Sequence, residues 1–240
     1  MKASKFVATA LLAIGCQGTE IPTPFEAETN TCLKAAELSS DYEAVVALTA
    51  KGESGNVYGC SGALISSRTV LTAAHCLIHE DTVTEYFVHF GPDTHSPHTK
   101  VRASRWEAHP NFSFEPGQDK QDLGKVYLDE DAPTAPLRVS ANRLAPGLEI
   151  TQVGYGIDGE GGGFGYKRVG KDTIDLLAYG AIITKTSGAT GLSGDSGGPA
   201  LYNNAVVGVL SKARDNGVNE YARVAFSKDF VNELLEGDCE

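Results

Sequence analysis

Positive charge is scarce in this chain. Its 240 residues carry 20 Lys and Arg against 31 Asp and Glu, a net charge of −11. That balance offers no basic footprint for a phosphate backbone, which excludes nucleic-acid binding. Long apolar runs are also missing: none approaches the roughly 20 residues that a membrane-spanning helix needs. Nor is there a fixed-period repeat of the kind that builds solenoids. With 41% hydrophobic and 21% charged residues the composition is that of a globular protein. The length suits one large domain or two small ones. Glycine is the plentiful residue, 27 against 10 prolines, and implies many turns, as in an all-β protein.

The first residues read MKASKFVATALLAIGC. Lys2 and Lys5 precede a short apolar stretch, Phe6 to Gly15. That is the build of a secretory signal peptide over residues 1–15, and export implies an oxidising compartment. Ala13-Ile14-Gly15-Cys16 resembles the lipobox of bacterial lipoproteins. The resemblance implies an acylated Cys16 as first mature residue, and hence a lipid anchor in a bacterial membrane, the outer one if the host has it. Without the anchor, the protein would be simply secreted. Residues 16–40, rich in Pro, Thr and Glu, then read as a flexible tether. The five cysteines agree, because lipidation of Cys16 leaves Cys32, Cys60, Cys76 and Cys239, enough for two bridges. A Cys60–Cys76 bridge closes a 16-residue loop, worth about 3 kcal/mol in the chain-entropy model. Cys32 and Cys239 would tie the two ends together, or stay free thiols.

From Tyr42 onward short apolar runs alternate with Gly, Pro, Asn and Asp. AVVALTA, GALIS, TVLTAA, EYFVHF, KVYL, EITQVGYG, AIITKT and AVVGVLSK all read as strands. One helix is predicted, residues 227–236, with Phe230, Val231, Leu234 and Leu235 on one stripe, Ser227 as N-cap and Gly237 beyond its end. The pattern implies barrels or a sandwich. Residues 159–165, GEGGGFG, read as a flexible loop. Gly154, Gly156 and Gly159 fit G-x-G-x-x-G, but more glycine follows where a dinucleotide site needs a helix N-terminus. No cofactor is expected.

Three segments carry chemistry: Thr72-Ala73-Ala74-His75-Cys76, Gln121-Asp122 with the apolar run behind it, and Gly194-Asp195-Ser196-Gly197-Gly198-Pro199. A serine hydroxyl needs a base, an imidazole supplies one near neutrality, and a carboxylate fixes its tautomer. Glycines on both sides of Ser196 let the backbone turn and aim N–H groups at one point, as an oxyanion site requires.

Together these segments resemble the trypsin-like serine proteases of the chymotrypsin fold, from about Tyr42 to the C-terminus. CSGALISSRTVLTAAHC is similar to the family's histidine region with its bracketing disulfide, QDLGKVYL to its aspartate region, VGYG to its Gly-aromatic-Gly segment, and GDSGGP to its nucleophile motif. The resemblance implies an all-β fold of two packed six-stranded antiparallel β-barrels with a C-terminal helix. The barrels would lie at about 41–135 and 136–226 of a protease domain, 41–240. It implies His75 as base, Asp122 as its orienting carboxylate, Ser196 as nucleophile, and the N–H groups of Gly194 and Ser196 as oxyanion donors. Asp119 is a rival for Asp122, but only Asp122 has the apolar strand directly behind it. His79, His89, His95, His98 and His109 read as surface or loop residues. His95 and His98 lack a third metal ligand, and GPDTHSPHTK, at the family's calcium loop, lacks acidic ligands. No metal is expected.

The resemblance also places Thr190 at the base of the primary specificity pocket, neutral where Arg/Lys-cleaving members have aspartate. Ala213 and either Asn219 or Gly217 would form its walls, Glu220 could lend a charge, and Ser211 would hold substrate backbone and contact the aspartate. Small or medium neutral side chains are therefore expected at the scissile position. The family's zymogens are cut before an Ile-Val-Gly-Gly-like segment, whose new amine pairs with the residue that is Asp195 here. No such segment lies between Cys16 and Tyr42, although Lys34-Ala35 is a conceivable cut site. The expected function is an exported, monomeric serine endopeptidase acting on polypeptides. The alternatives are a latent trypsin-like binding module and an esterase of the same chemistry.

Overall fold

A computed structural model describes residues 39–96, 99–115, 121–141, 143–158, 163–185, 190–214 and 216–232. Cys16, Cys32, Cys239, His98 and Asp119, the predicted tether up to residue 38, the loop residues 159–162 and the predicted helix beyond residue 232 lie outside them.

The first barrel is built from β1 (Val45–Gly52), β2 (Val57–Ser66), β3 (Thr69–Thr72), β4 (Val83–His89), β5 (Lys100–Ala108) and β6 (Gly124–Leu128). They close antiparallel in the order β1-β2-β3-β6-β5-β4. After β7 (Arg138–Val139), the second barrel follows: β8 (Glu149–Gly154), β9 (Arg168–Ala178), β10 (Ala181–Lys185), β11 (Pro199–Tyr202), β12 (Ala205–Arg214) and β13 (Val218–Arg223). Its order is β11-β8-β9-β10-β13-β12, and a β11–β12 pairing closes the ring. The two residues of β7 add to β12 in parallel. The fold is thus the expected one, two six-stranded antiparallel barrels. The C-terminal helix is represented by α1 (Lys228–Asn232), opened by a Val231 N–H bond to the Ser227 carbonyl, 3.0 Å.

Several strands are longer or shorter than their apolar runs. TVLTAA ends as a strand at Thr72, and Ala74–Cys76 turns into a 3₁₀ helix. There the Cys76 and Leu77 amides bond back to Ala73 and Ala74. Five strands, β5, β7, β9, β11 and β13, have no counterpart among the predicted runs. In β9 the reason is polar burial: Arg168 and Asp172 point inward and are 6% and 4% exposed. They break the alternation of apolar and polar residues by which strands are recognised.

Each barrel has its own apolar cluster: Leu48, Leu64, Tyr86, Val88 and Val126 fill the first, Ile150, Ile174, Ile182, Val207 and Tyr221 the second. A third cluster lies between them, with Val45, Leu71, Leu123, Tyr155, Val209 and Val231. Lys125, fully buried on β6, pairs with Glu107 at 2.9 Å. Its Nζ lies 4.2 Å from the centre of the Phe230 ring, which fastens α1 to the first barrel. One histidine, His89, corrects the expectation of surface or loop positions, while His109 lies in the loop after β5. His89 lies on strand β4, partly buried, with Nε2 2.9 Å from Thr49 Oγ1. Burial lowers its pKa to about 4. His109 is buried against Phe230, ring centres 4.7 Å apart.

The Cys60–Cys76 bridge is present. It ties β2 to the turn that carries His75. Replacing Cys76 by Ser removes the constraint on a 16-residue separation, and is expected to lower unfolding free energy by about 3 kcal/mol. Denaturant titration of the two proteins measures the difference.

Candidate active site

His75 reaches its position because the chain leaves β3 as a tight 3₁₀ turn rather than as a strand. Its amide donates to Asp122 Oδ1 at 2.9 Å and its ring Nδ1 lies 2.8 Å from Asp122 Oδ2. One carboxylate therefore fixes both the main chain and the ring. Ser211, on β12 of the other barrel, donates its hydroxyl to Asp122 Oδ2 at 2.5 Å. Burial alone would push the Asp122 pKa up, but the bonds from the His75 ring, Ser211 and the His75 amide, with the His75 charge, hold it below its ordinary value. Asp122 is therefore an ionised acceptor, and it favours the imidazole tautomer protonated on Nδ1, leaving Nε2 free to take a proton.

Ser196 sits in the turn between β10 and β11. Gly194 and Gly197 there have φ of +96° and +82°, which glycine adopts without strain. Gly197 is also needed for space: a Cβ would lie 2.1 Å from Thr72 Oγ1 and 2.3 Å from the Ser61 carbonyl oxygen. The turn thus packs directly onto the strand end that precedes His75. Asp195 N–H bonds to Leu192 O, Gly197 N–H to Leu210 O and Gly198 N–H to Asp195 O. Among the described residues, the N–H groups of Gly194 and Ser196 have no acceptor. Two unengaged donors side by side are what a developing oxyanion requires. Also among the described residues, Ser196 Oγ has no hydrogen-bond partner, and His75 Nε2 lies 3.8 Å from Cys76 Sγ.

Ser61, which the sequence analysis does not single out, joins the parts. Its amide donates to the Ser196 carbonyl at 2.8 Å and its hydroxyl to the Gly194 carbonyl at 2.8 Å. The same hydroxyl accepts from the Tyr155 amide at 2.9 Å, and Thr72 Oγ1 donates to the Ser61 carbonyl at 2.8 Å. The available signal was its place beside Cys60, on the strand that the disulfide links to His75.

A cleft of about 710 Å³ opens beside Ser196, lined among others by Thr190, Leu192, Ser211, Lys212, Ala213 and Arg214. Its charged lining groups are cationic, and Glu220 is not among them. Side chains alternate along a strand, and on β13 it is Asn219, fully buried, that faces inward. Asn219 Oδ1 accepts from the Gly191 amide at 3.0 Å, and its Nδ2 donates to Asp172 at 3.0 Å. Of the two candidate wall residues, Asn219 therefore backs the floor of the cleft, while Gly217 lies in the turn with a φ of +78°.

Two barrels with a His–Asp pair and a serine turn at their junction define the chymotrypsin-like class. The family model described as Trypsin matches residues 34–231, and the chain belongs to the trypsin family. A trypsin from Phaedon cochleariae is 27% identical over 203 residues, 74% of this chain and 79% of that protein. Serine protease SP24D from Anopheles gambiae is 31% identical over 199 residues, 74% and 71% of the two chains. Among solved structures, HL collagenase has a TM-score of 0.72 at 19% identity, covering 84% of this chain and 96% of its own. A scabies mite inactivated protease paralogue, S-I1, has a TM-score of 0.69 at 16% identity, covering 85% and 99%.

Asp195 provides a test of the site's electrostatics. It is 2% exposed, and burial pushes its pKa from 3.8 up to about 6. The folded protein therefore holds this proton more tightly than the unfolded chain does. The contribution to stability is fully present below pH 3.8 and lost as the pH rises through about 6, a span of about 3 kcal/mol. Lowering the pH from 7 to 5 should raise the unfolding free energy by about 1 kcal/mol through this group. The Asp195→Asn protein should lack that increment when the two are compared by denaturant titration at both pH values.

Proposed function

We propose that this protein is an exported serine endopeptidase that hydrolyses peptide bonds through an acyl-enzyme on Ser196. The observation that carries the reading is the His75 ring 2.8 Å from a buried, ionised Asp122, with the unengaged N–H groups of Gly194 and Ser196 on the adjoining turn. As the Ser196 hydroxyl attacks the scissile carbonyl, its proton passes to His75 Nε2 and the C–O bond forms. The carbonyl oxygen becomes an oxyanion that accepts from the Gly194 and Ser196 amides. Collapse breaks the C–N bond, and His75 returns its proton to the leaving amine. Water, deprotonated by His75, then repeats the sequence on the ester and frees Ser196. Asp122 stays ionised throughout and stabilises the imidazolium.

Thr190 at the base of the cleft, with Ser211 and Ala213 along it, would receive the substrate side chain and backbone. A buried Arg or Lys of the substrate would find no counter-charge at Thr190, and Lys212 and Arg214 would repel it. Neutral side chains of small or medium size fit this lining. The lone Ser196 hydroxyl and the likeness to an inactivated protease paralogue favour one other reading, a non-catalytic binding module.

A fluorophosphonate probe separates the two. It should label wild-type protein at Ser196, and Ser196→Ala should abolish both labelling and peptide-ester hydrolysis. Loss of His75 should reduce turnover by several orders of magnitude. Correctly folded wild-type protein that is never labelled, whether uncut or cut to a new N-terminus, would overturn the protease reading in favour of the binding module. A panel of substrates should show highest turnover for neutral side chains at the scissile position; dominant cleavage after Arg or Lys would overturn the specificity.

The lipobox-like Ala13-Ile14-Gly15-Cys16 and the odd cysteine count support a lipid anchor at Cys16. Several acyl chains hold a protein firmly to a bilayer where one binds marginally. Cys16→Ser should move the protein from the membrane fraction to the soluble one, or leave the precursor uncut. Wild-type protein that is already soluble, with its first residue elsewhere, would remove the anchor.

A further inference from the structure

Asp195 is a buried carboxylate with little company. It lies against the Gly154–Gly156 arc so closely that a Cβ at Gly154 would fall 2.2 Å from its Oδ1, and one at Gly156 2.5 Å from its Cγ. This contact, rather than a nucleotide, is what the two glycines serve. The remaining space beside it, bounded by Gln152, Val153, Leu210 and Tyr221, is too small for a water molecule. Its two direct partners are neutral: the Gly156 amide on Oδ1 at 2.8 Å and the Leu192 amide on Oδ2 at 2.9 Å. A carboxylate held this way costs several kcal/mol unless a positive charge offsets it.

The nearby cation is Arg168, at the start of β9 and 6% exposed. Its Nη1 donates to the Gly156 carbonyl at 2.6 Å and to the Tyr166 carbonyl at 3.3 Å, and its Nη2 lies 3.3 Å from Asp158. Gly156 therefore stands between the two charges, its N–H on Asp195 and its C=O on Arg168. The Arg168 charge favours the ionised form of Asp195. Of the other charged or titratable groups around it, Tyr221 is neutral, its hydroxyl bonded to Gln152, and Asp158 pairs with Arg168 Nη2 at 3.3 Å.

We infer that Arg168 is a positioning residue: by fixing the Gly156 backbone, whose N–H bonds Asp195, it holds ionised Asp195, and with it the 192–196 turn, in the form that presents the Gly194 and Ser196 amides, so that the site needs no newly cut N-terminal amine. The inference rests on the serine-protease reading and concerns how that site is kept active. The chain Arg168–Gly156–Asp195–Leu192 runs from the second barrel's sheet to the oxyanion turn within described residues, and each link is a hydrogen bond of 2.6 to 2.9 Å.

The test uses the full chain, kept uncut and checked by intact mass. Uncut wild-type protein should be labelled by fluorophosphonate at Ser196 and turn over substrate. Arg168→Met should lower kcat about 100-fold, the size of losing one oxyanion donor, with KM little changed, and Arg168→Lys should recover much of the loss. Asp158→Asn should leave kcat unchanged, because the Arg168–Asp158 pair is not the operative one. Uncut protein that is inert, but becomes labelled once a cut creates a new N-terminus, overturns the inference and leaves the protease reading standing. So does an Asp158→Asn enzyme as impaired as Arg168→Met, or a folded Arg168→Met enzyme with wild-type kcat. If Arg168→Met does not fold, the uncut-chain assay and the Lys and Asp158 variants decide. Wild-type protein that is never labelled, cut or uncut, removes both readings together.

Discussion

The bonds that hold the serine turn against the histidine strand cross from one barrel to the other. Ser61 of the first barrel takes the Ser196 and Gly194 carbonyls and the Tyr155 amide from the second. Ser211 of the second returns the link by donating to Asp122 of the first. Neither barrel contains a site alone. Each carries a self-sufficient apolar cluster, and the third cluster between them fixes the docking against which these short bonds are made. Interiors packed to crystal-like density do not deform continuously. Val45, Leu123 and Tyr155 belong to the cluster that sets this docking, so a loss of packing there would bear on how the two barrels meet.

The two buried carboxylates are treated in opposite ways. Asp122 has hydroxyl and imidazole donors and stays ionised below its ordinary pKa. Asp195 has two backbone amides and is pushed up. The difference lies in the donors, since both side chains are almost wholly removed from water. A charged acceptor is best held by groups that carry or share charge, and only Asp122 has such a group in direct contact.

Much of this was legible in the sequence, and the remainder was hidden for identifiable reasons. Strands such as β1, β2 and β12, with long runs of Val, Leu, Ile and Ala, announced themselves, and the glycine-flanked serine marked its turn. Strand β9 did not, because its inward residues include Arg168 and Asp172, and burial of charge leaves no apolar period to detect. The end of β3 was misread by two residues because Ala73 and Ala74 suit strand and turn alike. What bends the chain there is Asp122, 47 residues ahead in sequence. Ser61 gave no signal of its own, since a serine in a strand is unremarkable until its partners are known. Asn219 and Gly217 were alternative wall residues on paper, and the inward face of β13, with Asn219 fully buried, separates them. The pairing of Cys32 with Cys239 lies outside the described residues.

Lys167 has a consequence for how force enters the molecule. It is fully buried, its pKa lowered to about 8 by burial. Its Nζ donates to the Tyr42 carbonyl at 3.0 Å and the Asp41 carbonyl at 3.4 Å, while its own carbonyl accepts from the Ser39 amide at 3.3 Å. The leading segment is thus clipped to one residue by three bonds before it becomes β1. A pull applied to the chain ahead of Ser39 loads Lys167 in shear, and Arg168 is its covalent neighbour. Mechanical tension on the N-terminal side would therefore be passed to Arg168, whose guanidinium bonds the Gly156 carbonyl.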